Sequence, residues 1–510
     1  MARNKGIQIG RSFGVEDFCG IVVEKAGKSI YTLDCLRVRR LKESVMKAIS
    51  QMIRVSLCAA FLIAAFAPVC LTAQKAAESA SPQTQPAPTQ GAPLAQSAAP
   101  QVPAAQPQLA PPQVESYSLP PDKLAKAIAV SRIRNILEIV GSLWGLAVLW
   151  LLLTTRAAAG LESWAERVAK HRWVQGVLFF AALTLITTLA SLPLDLISEH
   201  VEHLYGVSVQ GWGSWFGDQG KSLGLALALG IPVLLLFNWI VRRWPQRYWF
   251  GIWVATIPLL IFSIFVSPLL DPLFNKFEPL AQSNPALVQQ LEKVVARTGT
   301  NIPPERMFLM KASLKTNGLN AYVSGIGATK RIVVWDTTAG RVPDDEVLFI
   351  FGHESGHYVL HHIPKLIAGI GVALFFVYWG CAWFAAWLVG RFGPGWHVNE
   401  LSSRAGFIVL LFVISLASFI LQPASNGFSR HFEHQADVYG QEAIHGIVAD
   451  PQKTTVSAFN HLGEAWLEDP NPSPFIEFWL YNHPSTQNRA NFASQYDPWA
   501  NGGHGQFFGN

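Results

Sequence analysis

Residues 249–270 are WFGIWVATIPLLIFSIFVSPLL, a run of mostly apolar side chains without a single charge. An α-helix needs about 20 such residues to cross the hydrocarbon core of a bilayer. Working outward along the chain, further segments meet the same requirement at about 135–154, 174–197, 222–241, 365–390 and 406–423. The pattern predicts a mainly α protein, a polytopic membrane helical bundle with about six spans.

The composition supports a membrane protein. Half of the residues are hydrophobic and only 14% are charged, against about 25% in soluble proteins. The chain has 18 Trp, a residue that concentrates where hydrocarbon meets water. Lys and Arg are scattered, and no dense basic run contains interleaved aromatics, which argues against nucleic acid as a partner. The expected partner is the lipid bilayer.

The N-terminal part is predicted to lie outside the folded body. Residues 1–73 are a basic N-terminus followed by an apolar stretch that ends at the small residue Ala73, as in a secretory signal. An uncleaved anchor helix stays open, because the stretch is almost long enough to span a bilayer. Residues 74–120 are rich in Ala, Pro, Gln and Ser, so they predict a disordered tether.

Two hydrophilic stretches, 271–362 and 424–510, flank the last two spans in 363–423, while 121–270 contains the first four spans. If both of the last spans cross the bilayer, the two stretches emerge on one face and can join as one domain. Short loops that are rich in Lys and Arg favour the cytoplasm. The loops after spans one, three and five are rich in these residues, and all three lie on the face opposite the two hydrophilic stretches. These basic residues are Arg156, Arg167, Lys170, Arg172, Arg242, Arg243, Arg247, Arg391 and Arg404. The count places the hydrophilic stretches on the periplasmic side of a bacterial inner membrane.

The strongest chemical signal is the motif His353-Glu354-Ser355-Gly356-His357. On a helix, positions four apart share a face, so His353 and His357 can present their imidazoles to one metal ion. Glu354 follows the first ligand and is placed to take a proton from a water at the metal. The pattern predicts a zinc hydrolase with one Zn²⁺ per chain.

A hydrolytic zinc site needs a third protein ligand and one open position. His361 and His362 follow too closely to supply that ligand from the same helical face. Glu433 is the better candidate, because Asp437 shares its face four residues later and can accept the spare N–H of a ligating imidazole. His431 and His434 remain alternatives for the third ligand.

Several motifs together resemble a known family, the type I CAAX prenyl proteases. These are integral membrane zinc peptidases that cut prenylated proteins near the C-terminus. The resemblance covers roughly 121–495 and depends on the metal helix, Asn320-Ala321-Tyr322, Ser429-Arg430 with Glu433, Ala436-Asp437, His483-Pro484 and Arg489. It implies a membrane bundle that encloses a chamber, with a small zincin-like α+β metalloprotease domain.

The resemblance also implies roles for individual residues. His483 would act with Glu354 in catalysis by stabilising the oxyanion, while Arg489 and Arg430 would support the ligands. Asn320, Ala321 and Tyr322 begin an expected hairpin whose exposed edge would bind an extended peptide substrate. The family's catalytic face lies toward the cytosol, opposite to the charge count, and a prenyl requirement does not carry over to bacteria that lack prenylation.

The sequence thus predicts a membrane zinc metalloendopeptidase that hydrolyses peptides or membrane-associated proteins. A membrane transporter with a regulatory metal site is one alternative. A chaperone-like relative that binds proteins without cutting them is another. The sequence leaves the oligomeric state open.

Overall fold

A computed structural model describes residues 119–325 and 327–509. The predicted segment 1–73 and almost all of the predicted tether 74–120 lie outside the described residues. The first five helices of the described residues contain four of the candidate spans, and together they are called the membrane half. They are α1 (Pro121–Thr154), α2 (Ala157–Val168), α3 (Arg172–Leu204), α4 (Trp212–Arg243) and α5 (Tyr248–Phe274).

A small mixed sheet and short helices follow the membrane half. The elements are β1 (Phe277–Pro279), α6 (Leu280–Ser283), α7 (Pro285–Thr298), β2 (Met307–Met310), β3 (Ala321–Ser324), β4 (Arg331–Trp335), α8 (Asp336–Ala339) and α9 (Asp344–Val359). The strand order is β1-β2-β4-β3. Only the β2–β4 pair is parallel. Strand β3 therefore lies at an edge of the sheet, as the expected hairpin required.

The remaining helices are α10 (His362–Trp396), α11 (Arg404–Ile444), α12 (Pro451–Trp466), α13 (Pro474–Leu480) and α14 (Thr486–Gln495). Helix α11 runs through Pro423 without interruption. The predicted boundary between 423 and 424 thus falls inside one helix, and the segment with the third ligand continues the last span. The predicted boundaries at 270 and 362 fall within helix α5 and at the start of helix α10 in the same way.

Within residues 119–325 and 327–509, six helices are long and apolar enough to cross a membrane, namely α1, α3, α4, α5, α10 and α11. Large apolar side chains point outward from them, among them Leu269 at 77% exposure and Trp383 at 70%. Such surface is rare on a soluble monomer and marks contact with lipid or protein. The prediction of six spans is confirmed by length and composition.

The two hydrophilic stretches share one hydrophobic core. Phe349 of helix α9 packs edge-to-face against Phe459 of helix α12, with ring centroids 5.3 Å apart. Leu291 and Ile332 from the first stretch and Ile444 from the second are buried in the same cluster. Because the core draws on residues from both sides of spans α10 and α11, those two spans bring the halves of the domain together.

The first turn of helix α11 is held by the buried side chain of Arg404 and by acidic residues of helix α2. Arg404 is 3% exposed and donates to Glu166 at 3.0 Å and to Gln175. Both oxygens of Glu162 accept backbone N–H groups, from Arg404 at 2.9 Å and from Ala405 at 3.1 Å. These contacts satisfy orphan donors at the start of the helix. Helix α2 thereby fixes the end of the long element that carries Glu433.

Candidate active site

Helix α9 carries the His-Glu-x-x-His motif, and its local sequence explains where it begins. Pro343 precedes the helix, and Asp344, Asp345 and Glu346 occupy its first turn. Acidic side chains there stabilise the positive end of the helix dipole. His361 adopts the left-handed conformation, with φ 57°, and the chain then turns directly into helix α10.

Helices α9 and α11 cross at glycine. A Cβ added to Gly440 would lie 2.8 Å from the backbone nitrogen of His353. A Cβ added to Gly352 would lie 3.1 Å from the carbonyl oxygen of Gly440. Ala436, one turn before Gly440 on helix α11, is fully buried, and the glycine pair allows a still closer approach. The crossing brings the two ligand-bearing helices into backbone contact.

The crossing places three potential ligand atoms together. His353 Nε2 lies 3.2 Å from His357 Nε2 and 3.3 Å from Glu433 Oε2. His357 Nε2 lies 3.6 Å from Glu433 Oε1. The ligand atoms of these three side chains all lie within 4.8 Å of one another. Among the described residues, this is the group of three or more His, Cys, Asp or Glu side chains that could hold a metal ion.

The spacing suits a tetrahedral metal ion. Two atoms that each lie about 2.0–2.1 Å from a tetrahedral ion are about 3.3 Å apart, close to the three distances above. Glu433 Oε2 is buried and, among the described residues, has no hydrogen bond of good geometry. A buried carboxylate oxygen without such a partner is costly unless it meets a cation. The residues therefore fit a divalent metal.

Asp437 and Arg489 support the first imidazole. Asp437 Oδ1 lies 2.9 Å from His353 Nδ1. Arg489 donates to both oxygens of Asp437, at 2.9 Å through Nε and 2.6 Å through Nη2. Burial alone would lower the pKa of His353, but its hydrogen bond to Asp437 and the negative charges of Asp437 and Glu433 outweigh that effect and raise the pKa to about 10. The carboxylates of Asp437 and Glu433 thus stabilise a positive charge at His353.

Glu354 lies beside the ligands and is half-buried. Burial raises the pKa of this carboxyl group above its ordinary value, although the backbone N–H of Val323 donates to it and acts in the opposite direction. The pKa of His357 is lowered to about 3 by burial and by neighbouring His353. A neutral imidazole is the form that binds a metal.

His483 lies on the open side of the group. Its Nε2 is 3.1 Å from Glu433 Oε2, and its side chain is 47% exposed. Its Nδ1 lies 2.7 Å from Oδ1 of Asn482, a contact that orients the ring. Arg430 lies beneath this loop and donates to the carbonyl oxygens of Glu477 and Tyr481. Arg430 therefore holds the segment that leads to His483.

The predicted substrate edge borders the site. The backbone N–H of Val323 donates to Glu354, so the outer edge of strand β3 faces helix α9. Asn320 is exposed just before this strand, and Ala321 is buried in it. The hydroxyl of Tyr322 lies 3.3 Å from Asp271 at the end of helix α5, so this side chain braces the strand against the membrane half.

The alternative third ligands lie elsewhere. His434 packs edge-to-face on Phe492, and His431 is exposed and contacts Gln435. Neither belongs to the group of ligand atoms. The sequence did not point to Asn482, which contacts the ring of His483.

Two family models and several known proteins match this chain. The family model described as the CAAX prenyl protease N-terminal region with five membrane helices matches residues 101–276, and the model of peptidase family M48 matches 281–497. A metalloprotease of Bacillus subtilis, described as uncharacterized, is 33% identical over 74% of this chain and 86% of its own length. The chain belongs to peptidase family M48.

More distant M48 relatives extend to eukaryotes. CAAX prenyl protease 1 of Saccharomyces cerevisiae is 27% identical over 62% of this chain and 71% of its own length. The crystal structure of S. mikatae Ste24p has the same fold, with a TM-score of 0.60 at 23% identity, and covers 73% of this chain and 90% of that one. The M48 chain described here is thus a multi-pass, membrane-embedded metalloprotease, which confirms the predicted family, fold class and enzyme class.

Proposed function

We propose that this M48 protein is a zinc-dependent endopeptidase that cleaves peptides or membrane-associated proteins. The observation that carries the proposal is the meeting of His353, His357 and Glu433 beside Glu354, with the spacing of a tetrahedral site. Two imidazoles and one carboxylate are a ligand set typical of catalytic zinc. Three protein ligands leave one position free for the reaction.

The roles of the residues follow from their positions. When bound, zinc would supply Lewis-acid chemistry and lower the pKa of a water molecule to near neutrality. Glu354 takes up the proton of the attacking water and returns it to the leaving amine. His483, on the exposed side of the group, donates to the oxyanion that develops on the scissile carbonyl. Asp437 and Arg489 hold His353 in place.

The substrate binds as an extended strand along β3. The outward-facing backbone of this edge borders Glu354, and backbone pairing at a sheet edge is a general way to hold a peptide. Asn320 lies at the start of the strand, where its exposed amide can register the substrate backbone. Because backbone pairing is independent of side chains, it provides affinity without selecting a particular sequence.

The decisive experiment compares wild type with Glu354→Gln. Both proteins are purified in detergent, their zinc content is measured, and each is incubated with a casein-like substrate and with a prenylated peptide, with and without a chelator. We expect Glu354→Gln to keep zinc and to lose cleavage by a factor of about 10²–10⁴. A transporter or a non-cleaving chaperone predicts no chelator-sensitive cleavage by wild type. That result would refute the proposed peptidase activity.

We further propose that the catalytic domain faces the periplasm of a bacterial inner membrane. The basic loop after the first span contacts the basic loop after the fifth, because Arg156 donates to Gly395 at 3.1 Å and Arg404 pairs with Glu162. The positive charge of these loops therefore lies at one end of the bundle. That end favours the cytoplasm.

Labelling by an impermeant thiol reagent in spheroplasts tests the orientation in a cysteine-free background. Asn471→Cys should react and Gly395→Cys should be protected, and the reverse pattern would contradict the assignment.

A further inference from the structure

A chain of hydrogen-bonding groups leads from the second imidazole to the protein surface. His357 Nδ1 lies 3.1 Å from His362 Nδ1. His362 Nε2 lies 3.0 Å from Oε1 of Gln435, and Gln435 Nε2 lies 3.3 Å from Nε2 of His431. His431 is exposed. The chain therefore joins helices α9, α10 and α11.

The polarity of the chain is determined by its first member. If His357 offers Nε2 to the metal, its proton resides on Nδ1, which then donates to Nδ1 of His362. A neutral His362 carries its own proton on Nε2 and donates to the amide oxygen of Gln435. The amide NH₂ then donates to His431 Nε2. Every contact pairs one donor with one acceptor, so a single set of tautomers satisfies the chain.

The fold fixes His362 firmly. The left-handed backbone of His361 ends the turn after helix α9 and makes His362 the first residue of helix α10. His362 is 2% exposed, and its ring stacks on Phe432 with centroids 4.5 Å apart and an interplanar angle of 15°. Phe432 immediately precedes Glu433, so His362 contacts one proposed metal ligand, His357, and the neighbour of another.

We propose that His362 is a positioning residue for the metal site, which sets the tautomer and the ring orientation of His357. The inference rests on the proposed zinc site and assigns to His357 the support that Asp437 gives to His353. The two imidazoles differ in this support, because one is held by a carboxylate and the other by neutral groups. A neutral partner holds the ring without adding negative charge to the site.

Two substitutions separate the hydrogen bond from the packing. His362→Phe keeps an aromatic ring that can stack on Phe432 but removes the acceptor for His357. His362→Asn loses the ring but places an oxygen near the position of Nδ1. The full-length protein, in detergent, is titrated with zinc against a chromogenic chelator to obtain the dissociation constant, a readout independent of peptide cleavage. His434→Gln, on a neighbouring side chain that contacts Phe492, is the matched control.

We expect His362→Phe to bind zinc about 10–100-fold more weakly than wild type. His362→Asn should recover most of this loss, and His434→Gln should match wild type. Wild-type affinity in His362→Phe, or an equal loss in both His362 variants, would overturn the inference. If His362→Phe does not fold, Gln435→Leu decides, because it leaves His362 in place but removes its acceptor. Wild-type affinity in Gln435→Leu would then overturn the inference.

The same titration distinguishes this inference from the proposed function. Failure of wild type itself to bind zinc would overturn the metal site and the role of His362 together. Zinc held equally by wild type and His362→Phe would overturn only the role of His362, and the zinc peptidase would stand.

Discussion

The close crossing of helices α9 and α11 gives a quantitative prediction for Gly440→Ala. The added Cβ would lie 2.8 Å from the nitrogen and 3.0 Å from the Cα of His353. Ordinary contacts of this kind begin at 3.4 Å, so restoring one requires the two helices to separate by about 0.6 Å, the difference between 3.4 and 2.8. Since both atoms belong to backbone, no side chain can rotate to relieve the overlap.

The displacement acts directly on a proposed ligand. Metal–ligand distances tolerate deviations of about 0.2 Å, so the required shift of His353 is about three times larger. Insertion of one methyl group into a well-packed contact costs about 1–3 kcal/mol. If this strain falls on the metal-loaded state, it corresponds to roughly 5- to 150-fold weaker zinc binding, since 1.4 kcal/mol is tenfold.

The assay is a competition titration of zinc against a chelator, with thermal unfolding measured in parallel. Gly427→Ala is the matched control on the same helix, because the nearest atom to its Cβ is a guanidinium nitrogen of Arg430 at 3.7 Å. We expect weaker zinc binding in Gly440→Ala and wild-type binding in Gly427→Ala. Equal affinity in Gly440→Ala and wild type would refute the argument that the glycine crossing determines the ligand geometry.

Three further predictions follow from other contacts. His483→Ala should keep zinc but lower kcat by about 10²–10³, as loss of an oxyanion donor does, and loss of zinc in this variant would contradict the role. Arg489→Met leaves buried Asp437 without its cation and should destabilise the protein by about 3 kcal/mol, measured by thermal unfolding, with a smaller loss in Arg489→Lys. Glu442→Gln removes the carboxylate that accepts the backbone N–H groups of residues 506, 507 and 508 at 2.6, 2.7 and 3.0 Å. The expected cost is about 1–3 kcal/mol, with faster carboxypeptidase trimming of the C-terminus, and unchanged trimming would count against the contact.

The membrane helices and the motif helix are examples of what local sequence predicts well. A span depends on length and hydrophobicity alone, so 249–270 and the other five segments could be recognised one at a time. The proximity of His353 and His357 follows from helix geometry, in which positions four apart share a face. In both cases the deciding interactions lie within one continuous segment.

The partners of the motif helix were harder to predict. Glu433 could be proposed because Asp437 shares its face, and the structure brings its carboxylate within 3.6 Å of both imidazoles. The continuity of helix α11 through 423 was missed, because a change from apolar to polar side chains resembles a domain boundary. A helix that leaves the membrane changes its side chains and keeps its backbone hydrogen bonds.

By itself, the sequence determined the six spans and the identity of the metal-binding motif, because each depends on neighbours along the chain. Only the tertiary structure decided which groups surround that motif. The approach of Gly440 to His353, the two bonds from Arg489 to Asp437 and the contact of His362 with His357 all join separate helices. Their existence depends on crossing distances of a few ångströms, which arise from packing of the whole core.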